Sequence, residues 1–364
     1  VRLFRTRLGI DLSGSRMALV AVRGSFGGSS VVLPPLIHEF RGEREATRLE
    51  EAESVLGEFV ARNGLVGADA FVALPAARVH TGRAAFPPLR EKDLKEAVGL
   101  ELERLFPVPP ETLRYGYRRL PGSAAGARLA VVVAAVPLAY LDLCGQIVSR
   151  AGLALAAAVP AGWASAAASR IPVKGSPHGG SASVVLRGLG DSVECTVQMA
   201  RETLFSASRP CAPGSEAEEG IALALEGLTD APTAPEAPVE LLAPAGWFRE
   251  TEFRPAAGNV CFRVREDFAA SAAAGLFGAA LEPAADPFPF LSAYGAAAGG
   301  SEIDLVAPQR SGEMSGRARA AVAIAAGAAL VLGVAWPAAE AWKARSEVRR
   351  LDAAVAVLQP HAQR

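Results

Sequence analysis

Along this chain the apolar positions change from short near-continuous runs to a helical spacing and back, and the changes outline alternating strands and helices. Residues 8–12 and 17–22 predict two strands joined at Ser13-Gly14-Ser15, where small residues permit a tight hairpin. A third strand is expected over 31–40, interrupted by Pro34 and Pro35. Over 46–62, Leu49, Ala52, Leu56, Phe59 and Val60 share one helical face, and Asn63-Gly64 supplies a stop. Strands follow at 71–74 and 78–86, closed by Pro75 and by Pro87-Pro88, because proline cannot donate to a sheet ladder. A helix is predicted over 90–106, with Leu94, Val98, Leu102 and Leu105 on its apolar side and Glu91, Lys92, Lys95, Glu96 and Glu103 opposite.

Beyond Pro107 the pattern predicts strands at 113–120 and 129–136. A helix opened by Pro137 carries Leu141, Cys144 and Val148, and a strand at 153–159 and a small-residue helix at 161–169 complete a first lobe. Residues 176–180 (SPHGG) read as a linker. A second lobe is expected from about 181, with strands at 182–186, 193–199 and 203–208, a helix at 216–228, strands at 239–243 and 260–264, and a helix at 290–300. Strands followed by a helix, twice over, predict a two-lobed α/β fold.

The last part differs in kind. Residues 301–316 form a polar linker containing IDLVAPQR (303–310), and 320–339 carry no charge. As a helix that stretch spans about 30 Å, one bilayer core. The alternative is an alanine-rich helix buried in a core, but no further domain follows to bury it. Trp336 and Trp342 suit a membrane–water interface. Val348, Leu351, Val355 and Leu358 keep a heptad rhythm, a short coiled-coil stem that reads as truncated at Arg364.

The 364 residues suffice for more than one domain. An apolar share of 51% agrees with a membrane element, as does a mean hydropathy of +0.24. A net charge of −1, with no basic run interleaved with aromatics, gives no reason to expect nucleic acid. The 4 cysteines and 4 histidines are scattered, so no metal site is expected, and the thiols read as reduced core residues. No signal peptide is recognisable near Val1, which places the first domain in the cytoplasm and the stem in the periplasm. Charges flank both sides of 320–339 and slightly favour the opposite orientation; the size of the leaderless domain overrules them. No G-x-S-x-G, H-E-x-x-H or P-loop occurs, so no catalytic residues are assigned.

The order strand, Leu74-Pro75, strand, FPPL (86–89), helix with Glu101 and Glu103, FPVPPE (106–111), then a strand with YGY (115–117) resembles the type IV pilus assembly protein PilM and its relative, the cytoplasmic part of the type II secretion protein GspL. The resemblance extends more weakly over about 8–340. It implies an actin-like fold of the FtsA type. The lobes would be 1–74 with 154–175 (lobe 1), an inserted subdomain at 75–153, and 181–300 (lobe 2). A PilN-like linker (301–319), a transmembrane helix (320–339) and a periplasmic stem (340–364) would follow. IDLVAPQR resembles the PilN cytoplasmic tail, roughly I-N-L-L-P-x-R, which PilM binds in a groove of its first lobe. Asp304 replaces the Asn and Ala307 is an extra residue. Ile303 and Leu305 are therefore candidate docking residues, on lobe 1 of this chain or a neighbour, with a solvated linker as the alternative.

Actin-like proteins hold ATP and its metal between two hairpins. GIDLSGS (9–15) resembles the first, making Asp11 the candidate metal-organising carboxylate and Ser13, Gly14 and Ser15 the candidate phosphate contacts. The second departs from the pattern: VVLRGLGDSVECTV (184–197) has no acid before Gly188. The adenosine-side turn reads LLAPAGW (241–247), with Pro244 in place of a donor. The resemblance thus implies a non-enzymatic inner-membrane scaffold of a secretion or pilus machine, without ATP or metal. Its partners would be a GspE- or PilB-like ATPase, a GspM- or PilO-like membrane protein and a second copy of itself. Lys92, Lys95, Glu96 and Glu103 are the candidate ATPase-facing residues. A nucleotide-regulated PilM-like protein is the alternative, and a division scaffold like FtsA is disfavoured because 320–339 is uncharged all round, not amphipathic.

Overall fold

The computed structural model describes residues 5–25, 28–42, 44–120, 128–170, 182–199, 202–229, 238–255, 260–282, 285–299 and 303–306. Lobe 1 opens with β1 (Thr6–Asp11), β2 (Arg16–Ser25), β3 (Gly28–Val31) and β4 (Leu36–Glu39), then α1 (Glu45–Arg62) and β5 (Asp69–Leu74). An inserted piece follows, of β6 (His80–Phe86), α2 (Glu91–Leu105), β7 (Leu113–Arg119) and β8 (Leu129–Pro137). The chain returns to lobe 1 through α3 (Leu138–Arg150), β9 (Ala154–Pro160) and α4 (Ala161–Ser169). Lobe 2 comprises β10 (Ala182–Gly188), β11 (Ser192–Met199), β12 (Glu202–Pro210), α5 (Glu216–Thr229), β13 (Val239–Leu242), β14 (Glu252–Phe253), β15 (Phe262–Val264), α6 (Asp267–Ala272) and α7 (Leu291–Ala298).

The two large sheets are duplicates in topology. Lobe 1 is ordered β3-β2-β1-β5-β9, and lobe 2 β12-β11-β10-β13-β15 with β14 added at the edge. In each, the first three strands form an antiparallel meander, and a helix (α1 or α5) crosses over to a parallel fourth strand. This twofold repetition is the topology of an actin-like fold, as the strand–helix order anticipates.

The lobes exchange helices. The helix α4 follows the strands of lobe 1 but also packs on β11 and β12, while α7 ends lobe 2 and lies on β1, β2 and β5. The two helices cross at close range because their contact faces are small. A Cβ on Gly295 would collide with the Ala164 carbonyl, and one on Gly9 of β1 with that of Ala293. Glycine is required at both places by proximity.

Two expectations are corrected. The strand expected over 31–40 is two short strands, β3 and β4, which pair with different ends of β2; Pro34 and Pro35 remove adjacent donors and force the break. The inserted piece ends near 137, not 153. Leu141, Cys144, Ile147 and Val148 of α3 join the core formed by Leu8, Ile10 and Leu56, while α2 and the β6-β8-β7 sheet have a core of their own. Among the described residues no helix is long and apolar enough to cross a membrane. The segment 320–339, the stem and the 176–180 linker lie outside the described residues.

Candidate functional site: the interlobe cleft and the groove for residues 303–306

The strand β1 delivers Asp11 to the mouth of the cleft, and the following turn needs Gly14 at φ +67°. Asp11 is buried, 3% exposed. Its Oδ1 accepts the Ser13 backbone N–H at 3.0 Å and the Ser13 hydroxyl. Its Oδ2 accepts Arg187 Nη1 at 2.8 Å and the hydroxyl of Ser292, on α7. Arg187 stands on β10 and is 1% exposed. It also donates Nε and Nη2 to Oε1 of Glu194, on β11, at 3.0 and 2.8 Å, and Nη1 to Ser292 at 2.5 Å.

One buried guanidinium thus serves two buried carboxylates. Burial works against its charge, but Glu194 and Asp11 outweigh burial and raise its pKa. Burial raises the pKa of Glu194, only partly offset by Arg187. The backbone N–H of Ala76 opposes the rise as well.

The two hairpins touch. Ser15 donates its backbone N–H and its hydroxyl to the Leu189 carbonyl at 3.0 and 3.2 Å. Arg16 donates to the Gly188 carbonyl, and the Trp247 ring lies against Gly188. Arg48 bridges the Gly14 carbonyl (3.2 Å) and Asp191 (3.1 Å). A neighbouring cavity of about 470 Å³ is walled by Leu12, Gly14, Arg48, Arg78 and Tyr140. Both its arginines already face carboxylates, Asp191 and Glu45.

Asp11, Ser13, Gly14 and Ser15 are the residues read from the sequence as candidate nucleotide contacts. The four do meet at the cleft, but the amides of Ser13 and Ser15 are spent on protein acceptors, and a cation occupies Asp11 already. These residues do not fit a metal–nucleotide group. Arg187, Glu194 and Ser292 were missed by sequence reasoning. The signal was one arginine inside the apolar run VVLRG: a charge in a buried strand requires partners.

A second site lies on the far edge of lobe 1. Residues 303–306 run along β9, the edge strand. Leu305 donates its N–H to the Ala158 carbonyl at 2.7 Å, and Asp304 Oδ1 accepts the N–H groups of Ala158 (3.1 Å) and Val306 (2.9 Å). Ile303 and Leu305 are 2% and 0% exposed, within the lobe 1 core. Gly116 of β7 makes room: a Cβ there would stand 2.6 Å from Ile303 Cγ2. From Val306 an open groove of about 620 Å³ continues past Arg114, Leu141, Asp142 and Leu155.

No family model and no curated protein sequence matches the chain. Among solved structures, the PilM–PilN type IV pilus biogenesis complex superposes over 81% of this chain and 98% of that one, at TM-score 0.56 and 16% identity. The fold is that of PilM. The cytoplasmic domain of EpsL, an inner membrane component of the type II secretion system of Vibrio cholerae, covers 78% and 99% at TM-score 0.46 and 16% identity. A Bacteroides thetaiotaomicron protein of actin-like ATPase fold and unknown function covers 66% and 82% at TM-score 0.39 and 11% identity. On the PilM-like fold, α2 presents Lys92, Lys95, Glu96 and Glu103 to solvent, together with Leu100 at 84% exposure. Glu101 is turned aside and pairs with Arg104. The α2 set is exposed, whereas Ile303 and Leu305 are buried.

Proposed function

We propose that the protein is a scaffold of a type II secretion or type IV pilus assembly platform, without catalysis of its own. Its PilM-like body would recruit the secretion ATPase and tether it to the inner membrane through 320–339. The observation that carries the reading is the seating of residues 303–306 on β9, Leu305 N–H to Ala158 O at 2.7 Å. A body of PilM fold and a PilN-like segment, separate partners in the complex whose structure it resembles, are here one chain. Backbone pairing along an exposed strand edge, with alternate side chains in pockets, is a recognised mode of peptide docking. Docking in cis fixes the distance between the body and the uncharged stretch, so force or position can pass between them.

A GspM- or PilO-like membrane protein and a second copy of the chain remain proposed partners of the segments beyond 306. The test is co-purification of the full chain with its secretion ATPase from detergent-solubilised membranes. Wild type is expected to retain the ATPase in the membrane fraction. Lys92→Glu with Lys95→Glu is expected to cut that retention while leaving stability within about 0.5 kcal/mol, as for exposed positions generally. An ATPase that distributes identically with and without this chain would defeat the reading.

A further inference from the structure

We propose that Arg187 is a built-in cation that occupies the place a nucleotide-bound divalent metal takes in this fold, and that Asp11–Arg187–Glu194–Ser292 latches the two lobes permanently. The argument rests on position, valence and burial. Asp11 and Ser292 stand on elements of the lobe 1 layer; Arg187 and Glu194 stand on adjacent strands of lobe 2. The latch therefore bridges the lobes through fully buried side chains, and the packed α4–α7 pair joins them as well.

A divalent cation between the hairpins of an actin-like protein balances carboxylates and phosphates and leaves with the nucleotide. A guanidinium has the same sign, a planar fork of donors suited to two carboxylates at once, and a covalent tether. Its Nη1 faces Asp11 at 2.8 Å and its Nε and Nη2 face Glu194. The hairpins then close directly on each other through Ser15 and Leu189 at 3.0 Å, which takes up the Ser15 amide and the Leu189 carbonyl. Trp247 against Gly188 and Arg16 on the Gly188 carbonyl complete the seal. A protein built this way has one lobe arrangement, not a ligand-gated pair. This inference stands apart from the scaffold reading, because it concerns the cleft and not what docks elsewhere.

The experiment is hydrogen exchange on the full chain in detergent, for wild type and Arg187→Gln, each with and without millimolar Mg-ATP. In wild type, peptides covering Ser13 and Ser15 are expected to be protected and unchanged by Mg-ATP. In Arg187→Gln they are expected to exchange about tenfold faster or more, while β8 of the inserted sheet stays at the wild-type rate, a local opening and not global loss. Unaltered protection of Ser13 and Ser15 in Arg187→Gln would overturn the latch. Saturable Mg-ATP binding to wild type that slows exchange at those residues would overturn the substitution of cation for nucleotide. If Arg187→Gln does not fold, Ser292→Ala decides: it removes the α7 contact alone, and faster exchange at Ser13–Ser15 is expected, no change being the contrary result.

Discussion

Asp304 accepts the Ala158 backbone N–H on its Oδ1 at 3.1 Å, and so caps a donor on the open edge of β9. The same oxygen takes the Val306 N–H at 2.9 Å, which turns the tail in towards lobe 1. The role is that of an acceptor, and an Asn carbonyl would fill it equally. Asp304→Asn is therefore expected to be neutral. Asp304→Ala leaves a buried donor unpaired and costs about 1–3 kcal/mol of docking. The check is the exchange rate of the Ala158 amide, together with proteolysis of residues 303–306; equal protection in both variants would contradict the geometry.

Gly116 and Ile303 form a matched pair. A Cβ on Gly116 would press on Ile303 Cγ2 at 2.6 Å and approach Leu305 Cδ2 at 3.4 Å. Gly116→Ala is expected to loosen the tail without disturbing β7, whose pairing with β8 does not depend on that face. Ile303→Ala alone should also loosen it, by about 2–5 kcal/mol of lost burial and cavity. Combined, the two changes should cost less than their sum, since one removes the atoms that the other meets. A strictly additive double mutant in tail-protection measurements would sink the pairing.

Most elements were legible from apolar spacing alone. The predicted helix at 161–169 coincides with α4, and α1, α2 and β8 agree to within a residue at each end. What failed depended on distance. Leu141, Cys144 and Val148 marked a helical face correctly, but nothing local says that the face packs on lobe 1 and not on the inserted sheet. The helix α6 and the π-turn after it (Ala273–Phe277) were missed because alanine and glycine give no apolar period there. Arg187 could be seen as odd in its strand, yet Asp11, the partner that explains it, lies 176 residues away. For residues 303–306 the sequence left docking and a solvated linker open; their seat on β9 required the fold.

Glu194 should make stability depend on pH. Its folded pKa is raised by burial, with Arg187 opposing. A carboxyl raised in the folded state contributes stability that is fully present below its unfolded value, about 4.3, and lost as pH rises through the folded value. The stability difference between wild type and Glu194→Gln should therefore fall as pH rises from acid, then level off. Denaturant unfolding of both proteins across that range reads the sign directly, and a difference that grows with pH would refute it.

The inserted sheet is held against lobe 2 by polar contacts along the edge strand β12. Thr81 donates to the Ser206 carbonyl at 3.4 Å, and Arg83 Nη2 to that of Leu204 at 3.0 Å, so side chains satisfy an edge that would otherwise be open. Arg118 pairs with Glu202 at 2.7 Å in the same seam. Burial lowers the pKa of Arg118 and raises that of Glu202, each opposed by the partner's charge. Both are partly screened from water, at 28% and 13% side-chain exposure. Removing one partner should strand the other: Arg118→Met or Glu202→Leu alone should destabilise the protein by about 2–3 kcal/mol, short of the 3–5 seen for fully buried pairs. The double replacement should recover most of that, because neither member of the pair is then left buried without the other. The coupling energy from the four unfolding curves decides the matter. A double mutant as unstable as the sum of the singles would mean that the pair is solvated and that Thr81 and Arg83 hold the seam without it.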